Sequence, residues 1–154
     1  LGICFGFQLA AVAFGRKICN LENANSTEIV ADTKHPIIDL LPEQKDETDM
    51  GGSLRLGANE IKINQDSLAY KIYNSDKISK RHRHRYEFNT KYRDEFLKKG
   101  MIFSGESDNG KRMEILEVPT HKFFLGVQFH PEFNSRPGFP EDVFKTFVTT
   151  ASQN

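Results

Sequence analysis

The sequence predicts an α/β fold, an open sheet with flanking helices, on three observations. Leu1-Gly2-Ile3 is the end of an apolar strand that turns at Cys4 into the apolar helical run Phe5 to Phe14. Gly126-Val127-Gln128-Phe129 is a second apolar strand, and it stops at His130-Pro131. Between the two, strand-like and helix-like segments alternate with Gly, Pro and Asn punctuation, and no segment repeats.

Taken in order, Phe5 to Phe14 is nearly all apolar, so this helix is expected to be buried, with Gly15 as its C′ stop. Ile37-Ile38 and Leu40-Leu41 make a short apolar segment ended by Pro42. Glu43 to Asp49 carries Glu43, Lys45, Asp46, Glu47 and Asp49 and no apolar residue, which predicts a mobile surface loop. Strands are expected over Ser53 to Leu56 and near Ile61 to Ile63. Ser67 to Tyr73 predicts a short helix. Tyr92 to Lys99 predicts a better one, stopped by Gly100 and with two lysines in its last turn. Met101 to Ser104 and Arg112 to Val118 read as a hairpin across Asp108-Asn109-Gly110. Phe123 to Phe129 is the strand that feeds His130, and Glu141 to Ala151 the closing helix.

Composition narrows the function classes. The 154 residues suffice for one domain or the larger part of one. Lys plus Arg and Asp plus Glu both number 21, so no global field draws the chain to nucleic acid or to an anionic membrane. No apolar run approaches the length of a membrane span, the longest being Leu9 to Phe14, and no signal peptide is expected. Cys4 and Cys19 are the only cysteines and lack metal-ligand spacing, which suits a reducing compartment and a cytoplasmic location.

The most informative segment is Gly2-Ile3-Cys4-Phe5-Gly6, which has the spacing of a nucleophile elbow with a thiol in place of the usual serine. A thiol at the first turn of a helix feels unpaired backbone N–H groups, which favour thiolate. The Phe5 N–H is then placed to stabilise the oxyanion of a tetrahedral intermediate. Alone, such a cysteine is more often a small buried hydrophobe. His130-Pro131-Glu132 supplies the complement, with His130 as general base and acid and Glu132 as the carboxylate that fixes its tautomer. His130 is expected to hydrogen-bond Cys4. The chemistry predicted is acyl transfer through a thioester.

Lys80-Arg81-His82-Arg83-His84-Arg85 competes with that reading. It resembles a nucleic-acid patch, but zero net charge and the lack of a second basic cluster argue for a solvated face. His82 and His84 would share one face of a strand, yet no carboxylate or thiolate stands at ligand spacing, so no metal is expected.

The cysteine elbow followed by His-Pro-Glu resembles the class I, triad-type glutamine amidotransferases. Ala24 to Glu28, Met50 to Gly57, Arg81 to Glu87, Arg112-Met113-Glu114 and Phe133 to Pro137 look, in order, like blocks of the amidotransferase domains of the CTP synthase family. The resemblance implies a flavodoxin-like open sheet, with residues 1–154 as the C-terminal part of an amidotransferase domain that is incomplete at its N-terminal side. It implies that Gln8, Glu28, Arg85 and the Tyr86 backbone bind L-glutamine, Arg85 at the α-carboxylate and Glu28 at the α-ammonium. It also implies that the ammonia released aminates ATP-activated UTP to CTP in a synthetase domain of the same polypeptide. Glutamine hydrolysis would need no cofactor. ATP with Mg²⁺, GTP as activator and a homotetramer are implied for the full-length enzyme. The alternatives are another class I amidotransferase, a γ-glutamyl hydrolase, or a catalytically silent fragment used in packing.

Overall fold

The structure, a computed structural model, describes residues 1–45 and 54–153. Its elements are β1 (Gly2–Ile3), α1 (Phe5–Lys17), β2 (Asn25–Ser26), β3 (Pro36–Asp39), α2 (Pro42–Lys45), β4 (Arg55–Ile63), α3 (Leu68–Tyr73), β5 (Lys77–His84), β6 (Glu87–Phe88), α4 (Arg93–Lys98), β7 (Ile102–Ser107), β8 (Arg112–Glu117), β9 (Leu125–Val127) and α5 (Asp142–Ala151). A six-stranded mixed sheet runs in the order β1-β9-β8-β7-β4-β5, and a small sheet runs β2-β3-β6. In the large sheet β1 and β9 are parallel, and the other neighbours are antiparallel.

Helices cover both faces of this sheet. One core packs Phe7, Ala11 and Phe14 of α1 against Ile37, Phe88, Phe96, Met113 and Leu116. The other packs Ala69 of α3 and Val143 of α5 against Ile61, Ile115, Val127 and Phe129. Burial of such side chains, worth about 1.5–3 kcal/mol each, holds the layers together.

Helix α1 departs from expectation in two ways. It is not buried all round: Phe5 and Leu9 are nearly half exposed, because the face away from the sheet meets no element among the described residues. That face borders an apolar groove of about 730 Å³, closed on its other side by Val118 and Phe124. Gly15 is also not the stop, since the helix continues to Lys17. The reason for a glycine there is close packing, a Cβ at Gly15 lying 3.3 Å from Ile37 and Phe96.

Other boundaries shift for local reasons. Pro42 opens α2, where a missing N–H costs nothing, so the first part of the expected 43–49 loop is helical. Residues 46–49 of that loop, Met50 to Gly52 and the start of the predicted strand at Ser53 lie outside the described residues. The two short strands expected nearby are one, β4. Strand β9 ends at Val127: Gln128 N–H still donates to Glu114 O of β8 (2.9 Å), but His130 N–H has turned to Arg81 O of β5 (2.9 Å).

The remaining elements follow their sequence signals. Ser67 caps α3, its Oγ accepting from Tyr70 N–H (3.0 Å), and the Glu117 carboxylate accepts from Leu68 and Ala69 N–H. Gly100 ends the α4 region at φ +94°. Asp108, Asn109 and Gly110 all take positive φ between β7 and β8, the conformation that residue types of this kind adopt most readily. Glu141 caps α5, accepting from Val143 N–H (2.8 Å).

Candidate active site

Cys4 sits at the turn from β1 to α1 with φ 49° and ψ −101°, a backbone conformation unusual for a residue with a side chain. Its N–H donates to Val127 O (2.8 Å), which ties the elbow to β9. The close approach requires Gly2, where a Cβ would lie 2.7 Å from the Gly6 carbonyl oxygen. Gly6 itself has open space at its Cβ position, so only one of the two framing glycines is sterically needed by the described residues. The Cys4 Sγ lies 3.9 Å from Arg83 O and 3.9 Å from Gln128 Nε2. Burial pushes the thiol above its ordinary value, the Phe5 N–H opposes that, and the Glu132 and Glu28 charges add to it. The helix start thus favours thiolate, as expected, but burial outweighs it in the resting site.

The parallel register sets Ile3 beside Val127, so Gln128 is level with Cys4 and His130 lies two residues further along the same chain. His130 Nδ1 is 2.6 Å from Glu132 Oε1. The carboxylate can only accept, so Nδ1 carries a proton, and in the neutral ring Nε2 is the atom with the lone pair. That Nε2 is buried and makes no hydrogen bond among the described residues. Pro131 opens the 3-10 turn Pro131–Asn134 and sets Glu132 back toward the ring. The expected Cys4 to His130 hydrogen bond is not made, because the thiol is turned to Arg83 O.

Gln8 follows one turn after Cys4 and is buried. Its Nε2 donates to Tyr86 O (3.0 Å) and reaches Gln128 Oε1 (3.5 Å), so the amide expected to meet substrate also fastens the Tyr86 segment to the elbow. Arg85 is half-buried, and its carbonyl accepts from Gln44 Nε2 (3.0 Å). Glu28 is exposed just after β2, its N–H on Ser26 Oγ, near enough to act on the Cys4 charge. Gln128 is the residue that sequence reasoning missed. The signal was available: like Gln8, it is a polar side chain breaking an apolar element, and a buried amide needs partners.

Behind the site lies a buried polar cluster. Arg55 contacts Glu114 (2.6 Å) and Glu87 (3.6 Å), Arg112 contacts Glu87 (2.6 Å), and Ser107 donates to Glu114. Burial, with Glu114 beside it, pushes the Glu87 carboxyl up to about 7 against the pull of both arginines. His82 and His84 pack on this cluster from β5, while Arg81 and Arg83 alternate outward. Half of the cationic run therefore faces inward. Among the described residues no group of three His, Cys, Asp or Glu side chains is arranged to hold a metal ion, and no helix is long and apolar enough to cross a membrane.

Known proteins are similar to this chain over nearly its whole length. CTP synthase of Archaeoglobus fulgidus is 53% identical over 151 residues, 98% of this chain and 28% of the relative. CTP synthase of Halalkalibacterium halodurans is 54% identical over 148 residues, 96% of this chain and again 28% of the relative. The chain thus spans little more than a quarter of the length of these curated relatives. Among solved structures, the glutaminase domain of Trypanosoma brucei CTPS with bound acivicin superposes with a TM-score of 0.91 at 34% identity, covering 99% of this chain and 60% of that one. The description "Glutamine amidotransferase class-I" matches residues 1–150, which include the elbow, the His-Pro-Glu turn and every element between them, and the chain belongs to that family.

Proposed function

We propose that the chain hydrolyses the side-chain amide of L-glutamine through a cysteinyl thioester, and that the full polypeptide uses the ammonia to aminate UTP to CTP. The observation that carries this is Cys4 at a strained elbow in register with a strand that delivers the His130–Glu132 pair. Acivicin bound to the 34% identical glutaminase domain supports glutamine as the substrate class.

In this mechanism His130 Nε2 takes the Cys4 proton and Sγ attacks the amide carbon. The oxyanion faces the Phe5 N–H. His130 returns the proton to the departing nitrogen, so ammonia leaves and the thioester remains. A water, deprotonated by His130, then attacks the thioester, releasing glutamate and the thiol. Glu132 holds the imidazole through both steps and stabilises its charged form. Arg85 takes the α-carboxylate and Glu28 the α-ammonium, with the Tyr86 backbone beside them.

Hydrolysis itself needs no cofactor. ATP with Mg²⁺, UTP and the activator GTP serve the longer polypeptide, at sites partly or wholly outside this chain, and by this reading that polypeptide is a cytoplasmic homotetramer. The test is mass spectrometry of the full polypeptide after incubation with the diazo-ketone analogue of glutamine. Labelling of Cys4 that glutamine protects against is expected. Labelling indifferent to glutamine would refute the substrate class.

A further inference from the structure

The histidines of β5 have no part in the chemistry above, yet their geometry is specific. His84 Nδ1 lies 3.1 Å from Tyr86 O, and His84 Nε2 lies 3.0 Å from His82 Nδ1. A carbonyl oxygen has no proton to give, so His84 donates from Nδ1 and its Nε2 accepts. Between neutral rings His82 then donates from Nδ1, which leaves its Nε2 as a lone pair, buried and without a partner among the described residues. The direction of every bond in the row is fixed from one end.

Both rings are buried, at 2% and 6% exposure. Burial first, and the Arg55 charge second, keep them neutral, His82 down to about 2 and His84 to about 3. The contact between the rings needs one acceptor, so both cannot be charged at once, and with both neutral the bonds run as described.

The strand these rings anchor borders the whole site through its carbonyls. Arg81 O accepts from His130 N–H (2.9 Å), Arg83 O faces Cys4 Sγ (3.9 Å), and Tyr86 O accepts from Gln8 Nε2 (3.0 Å) as well as from His84. With Arg85 O held by Gln44, the peptides on both sides of Tyr86 are clamped. The Tyr86 N–H makes no hydrogen bond among the described residues.

We propose that His82 and His84 are positioning residues for glutamine, a row of two neutral imidazoles that fixes the Tyr86 carbonyl and so presents the Tyr86 N–H and the Arg85 side chain to the substrate. The assignment rests on the glutaminase reading above. It distinguishes the two ends of the site: the row acts on substrate binding, whereas bond cleavage belongs to Cys4 and His130.

The test is steady-state glutamine hydrolysis by the full polypeptide with His84→Leu, His84→Asn, His82→Leu and His82→Asn, together with alkylation of Cys4 by iodoacetamide. An Asn amide nitrogen replaces Nδ1–H, whereas Leu fills the space without a donor. H84L is expected to raise KM for glutamine about tenfold, the effect one buried hydrogen bond commonly carries, with little change in kcat. H84N keeps KM near the wild-type value. H82L raises KM less than H84L, because it acts one ring further away, and H82N restores it. Iodoacetamide alkylation, which needs no glutamine pocket, is unchanged throughout. Should H84L not fold, His84→Gln serves in its place, its amide reaching the Nε2 end and not the Nδ1 end. Equal KM for H84L and H84N, or a fall in kcat and alkylation alongside KM, overturns the proposal. A wild-type protein that hydrolyses no glutamine overturns the reading beneath it as well, and that outcome is visible before any variant is made.

Discussion

Gln128 Nε2 lies 3.9 Å from Cys4 Sγ, across the one parallel strand pair of the large sheet. Gln128 is fully buried and also accepts from Gln8, so its donor is held on the sulfur by a bond on its other end. This contact lowers the thiol against the burial that raises it. Gln128→Leu should therefore move the pH midpoint of Cys4 alkylation upward and slow glutamine hydrolysis about tenfold, one hydrogen bond to the developing thiolate being lost. Alkylation rates measured against pH decide the matter. Cys19 does not interfere, because burial pushes its thiol up to about 11.

Glu132 has two effects of opposite sign on the same sulfur. It orients His130 through the 2.6 Å contact, which helps catalysis, and its charge raises the Cys4 thiol, which hinders ionisation. Glu132→Gln should lower kcat on the order of 10²-fold, the low end of what a positioned base contributes. The alkylation midpoint of Cys4 should move the other way, to lower pH. A parallel loss of both would mean that Glu132 serves only to hold the turn.

The elbow and the His-Pro-Glu turn were legible because each is local: Gly2 and Gly6 frame the nucleophile Cys4, and the base His130 stands two residues from its carboxylate Glu132. What escaped sequence reading depends on pairing between distant strands. Gln128 becomes a partner of Cys4 only through the β1 to β9 register. His82 and His84 looked like part of a solvated cationic face until β5 paired with β4 and turned alternate residues inward. Gly57-Ala58-Asn59-Glu60 lacks an apolar pattern, so β4 read as two strands, although antiparallel pairing carries it through without a break. Gly15 looked like a stop because a helix end and a close contact call for the same residue.

The two elbow glycines should respond oppositely to a methyl group. At Gly2 the added Cβ meets backbone, 2.7 Å from Gly6 O and 2.8 Å from Gly6 C, which no rotamer change relieves. Gly2→Ala should destabilise by about 1–3 kcal/mol and disable the nucleophile. Gly6→Ala meets nothing within 4 Å and gains helix propensity, so it should stabilise by up to about 1 kcal/mol. Thermal denaturation of both variants checks the signs, with roughly 2–4 °C expected per kcal/mol for a domain of this size.

Acid should destabilise the fold through the histidines. A base whose folded pKa is lowered binds its proton more readily when unfolded, so His82 and His84 contribute stability that is complete above about 6.5 and is lost as the pH falls toward 3. Glu87 works against them. Its folded value, raised from 4.5 to about 7, gives stability that is present below about 4.5 and lost as the pH rises to 7. Between about 4.5 and 6.5 two groups oppose one, so these three side chains together make stability rise with pH. Replacing both histidines by Asn leaves Glu87 alone, and its slope has the opposite sign. Urea unfolding midpoints measured from pH 4.5 to 6.5 should therefore rise in the wild type, and in H82N/H84N the rise should vanish or reverse. An unchanged slope in the double variant would show that other carboxylates, and not the imidazole row, set the acid limit of the fold.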